Sequence, residues 1–254
     1  MKITILGSGT STGVPMVGCN CPVCCSSDPR DRRSRSSLLI NHQGYSILVD
    51  TSTDLRMQML AQKVDKIDGI LFTHAHADHV NGIDDLRGFH FLHHRVIPCY
   101  GSKATMARLQ SGFRYIFTQD EGATHPPLIE PVTIDGPFEL FGLRIIPIPL
   151  EHGLGVSHGY RIGPFAYLTD CSGIPPASNL LLQGVQTIVI DGLRWSPHPF
   201  HFNIENAITA ARTMGATRTI LTHLTHEVFH AESSRLPQGV EFAWDGMSFE
   251  LEPA

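Results

Sequence analysis

Several features of membrane, secreted or nucleic-acid-binding proteins are missing from this sequence of 254 residues. It has no apolar run of about 18 residues or more, so we expect no membrane span. The apolar stretch in residues 1–7 is too short, and broken too soon by glycine, to predict a secretory signal. Lys and Arg number 19 against 24 Asp and Glu, a net charge of −5, which argues against a protein whose main role is to bind nucleic acid or an anionic membrane.

The cysteines and glycines exclude two further classes. Four of the six cysteines lie in residues 19–25, too close together for all to bridge one another, so the sequence has no disulfide framework and predicts a reduced, cytoplasmic protein. The glycine-rich residues 7–13 do not complete a dinucleotide fingerprint, because the third glycine falls one position late and a cysteine loop follows. We expect a turn near the functional site there instead.

The composition is that of a globular protein, with 42% hydrophobic and 17% charged residues. Short β-branched segments bounded by Gly, Pro, Asp or Asn predict strands at residues 3–6, 46–49, 67–73, 143–149, 165–169, 187–190 and 218–222. Helical spacing predicts helices at 54–62, 103–110 and 177–183, and the clearest one runs from an Asn203 N-cap to a stop at Gly215. Strands that first form hairpins and later alternate with helices predict one mixed α/β layered domain over residues 1–254.

Histidine is the residue in excess, at 15 of 254, and its densest cluster is Thr-His-Ala-His-Ala-Asp-His at residues 73–79. In an extended segment, residues two apart point the same way, so His74 and His76 can bind one ion. Asp78 and His79 fall where the chain turns toward a helix and can face a second ion. Imidazole and carboxylate ligands suit Zn²⁺, Mn²⁺ or Fe²⁺, and a mixed set with open positions indicates catalysis.

One segment rarely completes a site for two metals, so we expect further ligands at other strand ends. His152, Asp170 and His223 each follow an apolar predicted strand, where sheet-based active sites collect their groups. Asp191 ends a strand in the same way and is the main alternative to Asp170.

A second metal-binding pattern lies in the loop 18–26. Cys19, Cys21 and Cys24 are spaced to converge on one ion, and a closed structural zinc site needs a fourth ligand, for which His226 is the best candidate. The alternative is a loop of free cysteines. Cys25 is interpreted as a spare residue or a helix start.

Cleavage of an ester also needs a proton for the leaving group. His201 lies just before the strong helix, away from the strand ends, and is our candidate general acid, with His198 as the competing choice. The arginines of residues 30–35 alternate with Asp28 and Asp31 and are interpreted as a salt-bridged loop rather than a substrate clamp.

The His-x-His-x-Asp-His cluster with the later His, Asp and His resembles the metallo-β-lactamase superfamily, which implies an αββα four-layer sandwich and a dinuclear metal hydrolase. By that resemblance one metal is bound by His74, His76 and His152. The other is bound by Asp78, which also counts as catalytic, together with His79 and His223, and Asp170 bridges the two. These motifs follow one another in the order typical of the superfamily and are spread over nearly the whole chain.

Four further patterns narrow the resemblance to PhnP-type phosphoribosyl cyclic phosphate phosphodiesterases. They are the cysteine pattern, His-Leu-Thr-His at 223–226, Leu-Thr-Asp-Cys-Ser-Gly at 168–173 and Trp-Asp-Gly-Met at 244–247. This resemblance implies hydrolysis of a small cyclic phosphate diester by a metal-bridging hydroxide, in a cytoplasmic homodimer, with His201 near the substrate. Two catalytic ions (Mn, Zn or Fe) and one structural zinc are then expected, and neither nucleic acid nor membrane is an expected partner.

The opening glycine run is also similar to the tRNA 3′-processing branch, so that activity and glyoxalase II-like thioester hydrolysis are the alternatives.

Overall fold

The computed structural model describes residues 1–118 and 128–253 and has the expected αββα architecture, with two seven-stranded sheets stacked face to face and helices on their outer faces. Among the described residues, no helix is both long enough and apolar enough to cross a membrane.

The first sheet is built from the N-terminal half of the chain plus the last strand. Its order is β14-β1-β2-β3-β4-β5-β6, and β3 to β6 run parallel. The strands are β1 (Lys2–Gly7), β2 (Ser37–His42), β3 (Tyr45–Val49), β4 (Gly69–Leu71), β5 (Ile97–Gly101), β6 (Ile129–Thr133) and β14 (Ser248–Glu250).

The second sheet has the order β13-β12-β11-β10-β9-β8-β7, with β10 to β13 parallel and β8 paired with β9 in a long antiparallel hairpin. The strands are β7 (Phe138–Leu140), β8 (Leu143–His152), β9 (Gly155–Ile162), β10 (Phe165–Leu168), β11 (Thr187–Asp191), β12 (Arg218–Thr222) and β13 (Val240–Phe242).

Successive side chains of a strand point to opposite faces of the sheet and so enter two different hydrophobic cores. In β3, Ile47 and Val49 point into the core between the two sheets, whereas Leu48 points to the outer core under the helices. All three side chains are fully buried, and burial of such a side chain stabilises a fold by about 1.5–3 kcal/mol. Both faces of this sheet are therefore buried, one against the other sheet and one under the helices.

The helices cover the outer faces and agree with the sequence prediction where that was strongest. The Asn203 side chain caps the last helix by accepting from Asn206 N (2.9 Å), and Gly215 follows that helix with φ +80°, as expected. The helices are α1 (Leu55–Gln62), α2 (Ala77–Val80), α3 (Arg87–His93), α4 (Lys103–Gly112), α5 (Arg114–Phe117), α6 (Pro176–Leu181) and α7 (Ile204–Thr213), with 3-10 turns at Pro29–Asp31, Ile83–Leu86 and His230–Arg235.

The strand predicted at 67–73 is shorter in the structure, covering only Gly69–Leu71. Its flanking polar groups bond across the fold: Asp68 Oδ2 accepts from Ser46 N (2.8 Å), and Thr73 N donates to Asp50 Oδ1 (2.8 Å). The strand thus ends before the histidine cluster. The predicted site residues meet at one edge of the sandwich. This edge is formed by the carboxyl ends of β3, β4, β10 and β12 and by the end of β8.

Candidate metal centre and active site

Asp50 is a buried carboxylate that contacts two residues of the histidine cluster. It follows β3 directly and is fully buried, and its Oδ2 accepts from Thr73 Oγ1 (2.7 Å). The same oxygen lies 2.7 Å from His79 Nδ1. This contact directs the other ring nitrogen of His79 into the site. Asp50 was not predicted as a site residue, although it follows a predicted strand just as Asp170 does.

The first ligand set consists of His74, His76, His152 and Asp170, whose donor atoms all lie within 4.8 Å of one another. His152 Nε2 is 3.3 Å from His76 Nδ1, and His74 Nε2 is 3.6 Å from Asp170 Oδ2. His152 Nδ1 lies 3.1 Å from Phe200 O, which leaves Nε2 to face the cluster. The structure therefore brings together residues from the ends of β4, β8 and β10 that the sequence separates by up to 96 positions.

The second ligand set consists of Asp78, His79, Asp170 and His223 and is entirely buried. His79 Nε2 lies 3.3 Å from Asp78 Oδ2 and 3.2 Å from Asp170 Oδ1, and His223 Nδ1 lies 3.3 Å from Asp170 Oδ1. Asp170 belongs to both sets, since one oxygen faces each. The structure thus shows the shared position expected of a bridging residue.

The donor atoms of these sets are suited to metal ions. His74 Nε2 and His79 Nε2 are both completely buried and have no hydrogen-bond partner among the described residues. A buried nitrogen without a partner is costly unless a ligand satisfies it. Both atoms face the carboxylate of Asp170, which is the environment of a divalent cation held by imidazole and carboxylate.

The charges in the site are consistent with cation binding. Burial raises the pKa of Asp170, but the neighbouring rings of His223 and His79 lower it further, and the net pKa lies well below its ordinary value. Burial lowers the pKa of His74 well below its ordinary range, with His79 adding to the effect. An ionised Asp170 beside a neutral His74 is the state in which both can bind a metal. Burial lowers the pKa of His79, but its contacts with Asp170 and Asp50 outweigh that and raise it well above its ordinary value.

Two polar side chains contact His223, one from the residue before β2 and one from the N-terminal turn. Ser36 Oγ lies 2.9 Å from His223 Nδ1, and Thr10 Oγ1 lies 3.3 Å from its Nε2. Ser8, in the same glycine-rich segment, donates from N and Oγ to Asp245 Oδ1 (2.9 and 2.8 Å). The glycine run therefore forms a turn beside the metal-binding candidates, as expected.

Cys19, Cys21, Cys24 and His226 form a separate group at the other end of this turn, again with donor atoms within 4.8 Å of one another. The three sulfurs lie 3.3, 3.4 and 3.7 Å from His226 Nδ1. The Cys24 backbone N–H donates to the sulfur of Cys21 and is the largest influence lowering its pKa to about 6, whereas burial raises the pKa of Cys24 to about 11. Cys25 is exposed and lies outside the group.

His201 and Asp191 form a pair beside the first two ligand sets. His201 Nδ1 lies 2.6 Å from Asp191 Oδ2, and the Cys171 backbone N–H donates to the same oxygen (3.1 Å). Burial lowers the pKa of His201, but its contact with Asp191 outweighs that and leaves the pKa raised. Asp191, the alternative to Asp170, belongs to neither ligand set. Its contact with His201 was not foreseen from the sequence.

A cleft of about 1200 Å³ gives access to the site. His201 lines it beside the metal-binding candidates, and the His201 ring centroid lies 4.9 Å from that of His152 and 5.0 Å from that of His223. His198 does not line the cleft, although its ring centroid is 5.2 Å from that of His201. Of the two candidate acids, His201 is therefore the one that faces the cleft.

The arginine-rich loop does not reach the cleft. Arg30 pairs with Asp28 (2.8 Å), Arg35 pairs with Asp54 (3.0 Å), and the buried Arg33 pairs with Asp31 (3.1 Å). The interpretation of this segment as a salt-bridged loop is confirmed for Arg30 and Arg33, whereas Arg35 pairs with a carboxylate outside the segment.

Comparison with known proteins gives four relevant matches. Residues 45–224 match the model of the β-lactamase superfamily domain. An octanoyltransferase from Porphyromonas gingivalis is 38% identical over 97% of this chain, and the chain spans about half (51%) of its length. The crystal structure of a diphosphatase of the PhnP family is 40% identical and superposes with a TM-score of 0.92, covering 99% of this chain and 98% of that one.

Zn²⁺-bound PqqB from Methylobacterium extorquens shares the fold at 19% identity, with a TM-score of 0.77 over 99% of this chain and all of that one.

Proposed function

Since the chain belongs to the β-lactamase superfamily, its fold and ligand sets support a metal-dependent hydrolase, and we propose that it cleaves a small phosphate diester of the phosphoribosyl 1,2-cyclic phosphate type. The observation that carries the proposal is the arrangement of one cleft. Two adjacent ligand sets share Asp170, and His201, which lines the same cleft and contacts the buried Asp191, lies directly beside them.

In this proposal His74, His76 and His152 hold one ion, and Asp78, His79 and His223 hold the other, with Asp170 between them. Two divalent ions bound there would lower the pKa of a water toward neutrality and offset negative charge on the phosphoryl oxygens. The chain's contribution is to hold the ligands rigidly, since Asp50 and Phe200 O each contact a ligand ring at the nitrogen that faces away from the set.

His201 is the proposed general acid, which gives its proton to the leaving alkoxide from Nε2. Asp191 contacts Nδ1 and therefore fixes the ring orientation while favouring its protonated form. Asp191 acts through His201, so it is a positioning residue. An acid is needed most when the leaving group is a poor one, as a sugar hydroxyl is.

Cys19, Cys21, Cys24 and His226 are the proposed ligands of a structural zinc, because four donors of this kind leave no open position for a substrate. None of the six cysteines forms a disulfide, which supports the proposed cytoplasmic location. A homodimer stays a prediction.

A diphosphate bond is a second candidate, favoured by the similarity to the PhnP-family diphosphatase. The same arrangement would serve, since both reactions displace an oxygen leaving group from phosphorus. A phosphate leaving group depends less on an acid than an alkoxide does, so the two candidates differ in their need for His201.

Parallel assays separate the candidates. The metal-loaded protein is given a ribose 1,2-cyclic phosphate, a sugar diphosphate, a hydroxyacyl thioester and a precursor tRNA, and product is measured under the same conditions. We expect hydrolysis of the cyclic diester. Turnover of the thioester alone would overturn the proposal, and cleavage of the precursor tRNA alone would favour the tRNA-processing alternative.

A further inference from the structure

Phe200 lies in the loop 192–203, between β11 and α7, and its ring contacts the tip of the β8–β9 hairpin. His152 pairs with Gly155 in that hairpin, so Gly153 begins a two-residue turn. Gly153 has φ +59°, in the left-handed region that glycine adopts without cost. The turn therefore favours glycine at this position on backbone grounds alone.

The Phe200 ring occupies the space that a side chain at Gly153 would fill. A Cβ atom on Gly153 would lie 2.9, 3.4 and 3.5 Å from Cδ1, Cε1 and Cγ of Phe200. Carbon atoms attract each other best at about 3.5–4.0 Å, so the ring is packed against the turn and leaves no room for a methyl group. Phe200 is nonetheless 49% exposed, so core packing does not account for an aromatic residue here.

The Phe200 carbonyl contacts a candidate metal ligand. Its oxygen lies 3.1 Å from His152 Nδ1, and because a carbonyl oxygen only accepts, Nδ1 carries the hydrogen. The Nε2 atom of His152 then keeps its lone pair for an ion, and it faces His76 Nδ1 at 3.3 Å. The orientation of the His152 ring thus depends on where the Phe200 carbonyl lies.

The peptide unit between residues 200 and 201 joins this ligand to the proposed acid. The carbonyl oxygen of that unit faces His152, and its nitrogen belongs to His201. A peptide unit is planar, so the position of its oxygen also restricts where the Cα atom of His201 can lie. The ring centroids of His152 and His201 are 4.9 Å apart. A shift of one planar group would therefore move both rings.

We propose that Phe200 is a positioning residue: its ring, packed on Gly153, holds the 200–201 peptide unit where it orients both His152 and His201. The inference rests on the proposed function for the roles of these two histidines, and it assigns Phe200 no contact with the reacting atoms. Phe200 also lines the cleft, so the alternative is a side chain that binds the substrate directly. The two roles differ in what they predict for metal affinity, kcat and KM.

Two variants disturb the contact, since Phe200→Ala removes the ring and Gly153→Ala adds a methyl group that displaces it. Metal affinity is measured without substrate, by competition with a chelator. In both variants we expect the affinity for one catalytic ion to fall by about 10–100-fold, the usual effect of disturbing an outer contact to a ligand. Phe200→Tyr, which keeps a ring on Gly153, should retain the affinity of the wild type.

Kinetics at saturating metal then separate the two roles of Phe200. For a ribose 1,2-cyclic phosphate, kcat of Phe200→Ala should fall by about 10-fold or more, with KM within about threefold of the wild type, because binding of the ground state is unchanged. The loss should be smaller on bis(p-nitrophenyl) phosphate, whose leaving group needs no acid. An equal loss on both substrates would contradict the part of the proposal that concerns His201. A raised KM with kcat and metal affinity unchanged would establish substrate binding instead.

Two matched controls separate this role from general damage. Gly44→Ala introduces similar backbone strain in the β2–β3 hairpin, where φ is +80° and an added Cβ would meet no described atom within 4 Å beyond the adjoining residues. Phe91→Ala removes a ring of α3 that is 56% exposed and does not line the cleft. Both controls should keep metal affinity and kcat within about twofold of the wild type. Losses in Gly153→Ala no greater than in Gly44→Ala would refute the proposal.

The double variant tests whether both residues act through the same contact. Without the ring, the added methyl group has nothing to displace, so Phe200→Ala with Gly153→Ala should lose little more than Phe200→Ala alone. Additive losses would contradict the shared contact.

The chelator measurement also distinguishes this inference from the proposed reaction. If the wild type cleaved no diester, the proposed reaction would fail, yet weaker metal binding in both single variants and normal binding in both controls would still support the positioning of His152. Unchanged metal affinity in both single variants would overturn the inference whatever their activity.

Discussion

Replacement of Asp191 by Asn tests whether the His201–Asp191 pair acts as the proton donor. The amide has nearly the same shape, and its oxygen can still accept from Cys171 N and from His201 Nδ1, so the ring should keep its position. The negative charge is lost, and with it the preference for a protonated ring. A hydrogen bond to a charged group contributes about 1.5–3 kcal/mol. We therefore expect turnover to fall by about 10- to 150-fold.

The assay compares leaving groups. His201→Ala, which removes the donor altogether, should reduce turnover of an alkyl diester by about 10²–10⁴-fold. Both variants should lose far less on bis(p-nitrophenyl) phosphate, because p-nitrophenolate leaves without help from an acid. His198→Ala, which alters the competing histidine outside the cleft, should leave both rates close to those of the wild type. Bound metal is measured in each variant by mass spectrometry.

Three results would refute this reasoning. Full activity of His201→Ala on the alkyl diester would remove His201 as the acid. A similar loss on both leaving groups would mean that the pair supports the site in some other way. Loss of bound metal in Asp191→Asn would assign Asp191 to the metal centre, against its position outside both ligand sets.

Three further predictions concern the metal sites and the fold. Asp170→Asn should reduce bound metal from three ions to one by mass spectrometry, because Asp170 belongs to both ligand sets, and retention of three ions would contradict its shared position. Cys24→Ser should remove one ion and lower the midpoint of thermal unfolding, and unchanged metal content would contradict the zinc proposal; Cys25→Ser, at the exposed neighbour, is its control. Arg33→Met removes the cation that pairs with the buried Asp31 and donates to the carbonyls of Thr225 and Val228. The free energy of unfolding, measured in urea, should therefore fall by about 3–5 kcal/mol. A fall below about 1 kcal/mol would show that this ion pair contributes little.

The sequence predicted best where a single segment carries its own signal. The α7 cap is local, since Asn203 and the N–H that it accepts are three residues apart. The histidine cluster is local as well, and its geometry follows from one strand that turns into α2. Such features need no knowledge of how distant segments meet.

Contacts between distant segments were predicted less well. Asp191 was correctly placed at the end of a strand, but its role depends on His201, which reaches it from the loop before α7. Asp50 was missed because its importance comes from Thr73, which follows the neighbouring strand β4, and from His79 in α2. Spacing within one segment cannot supply these relations.

Backbone strain gives a signal that spacing does not. Asp50 and His223 follow a strand directly, and Asp170 follows one after Thr169. Their φ angles are 62°, 59° and 53°, in the left-handed region that glycine adopts without cost. A non-glycine residue there costs on the order of 1–3 kcal/mol. Glycine would relieve that strain at each position, yet it would also remove a carboxylate or imidazole that faces the ligand sets. The turn directs these side chains into the site at the point where the ladder ends. In this sandwich, a carboxylate or imidazole residue with positive φ at the end of a buried strand therefore marks the edge where the ligand sets lie. This backbone conformation identifies that edge more directly than the sequence motif does.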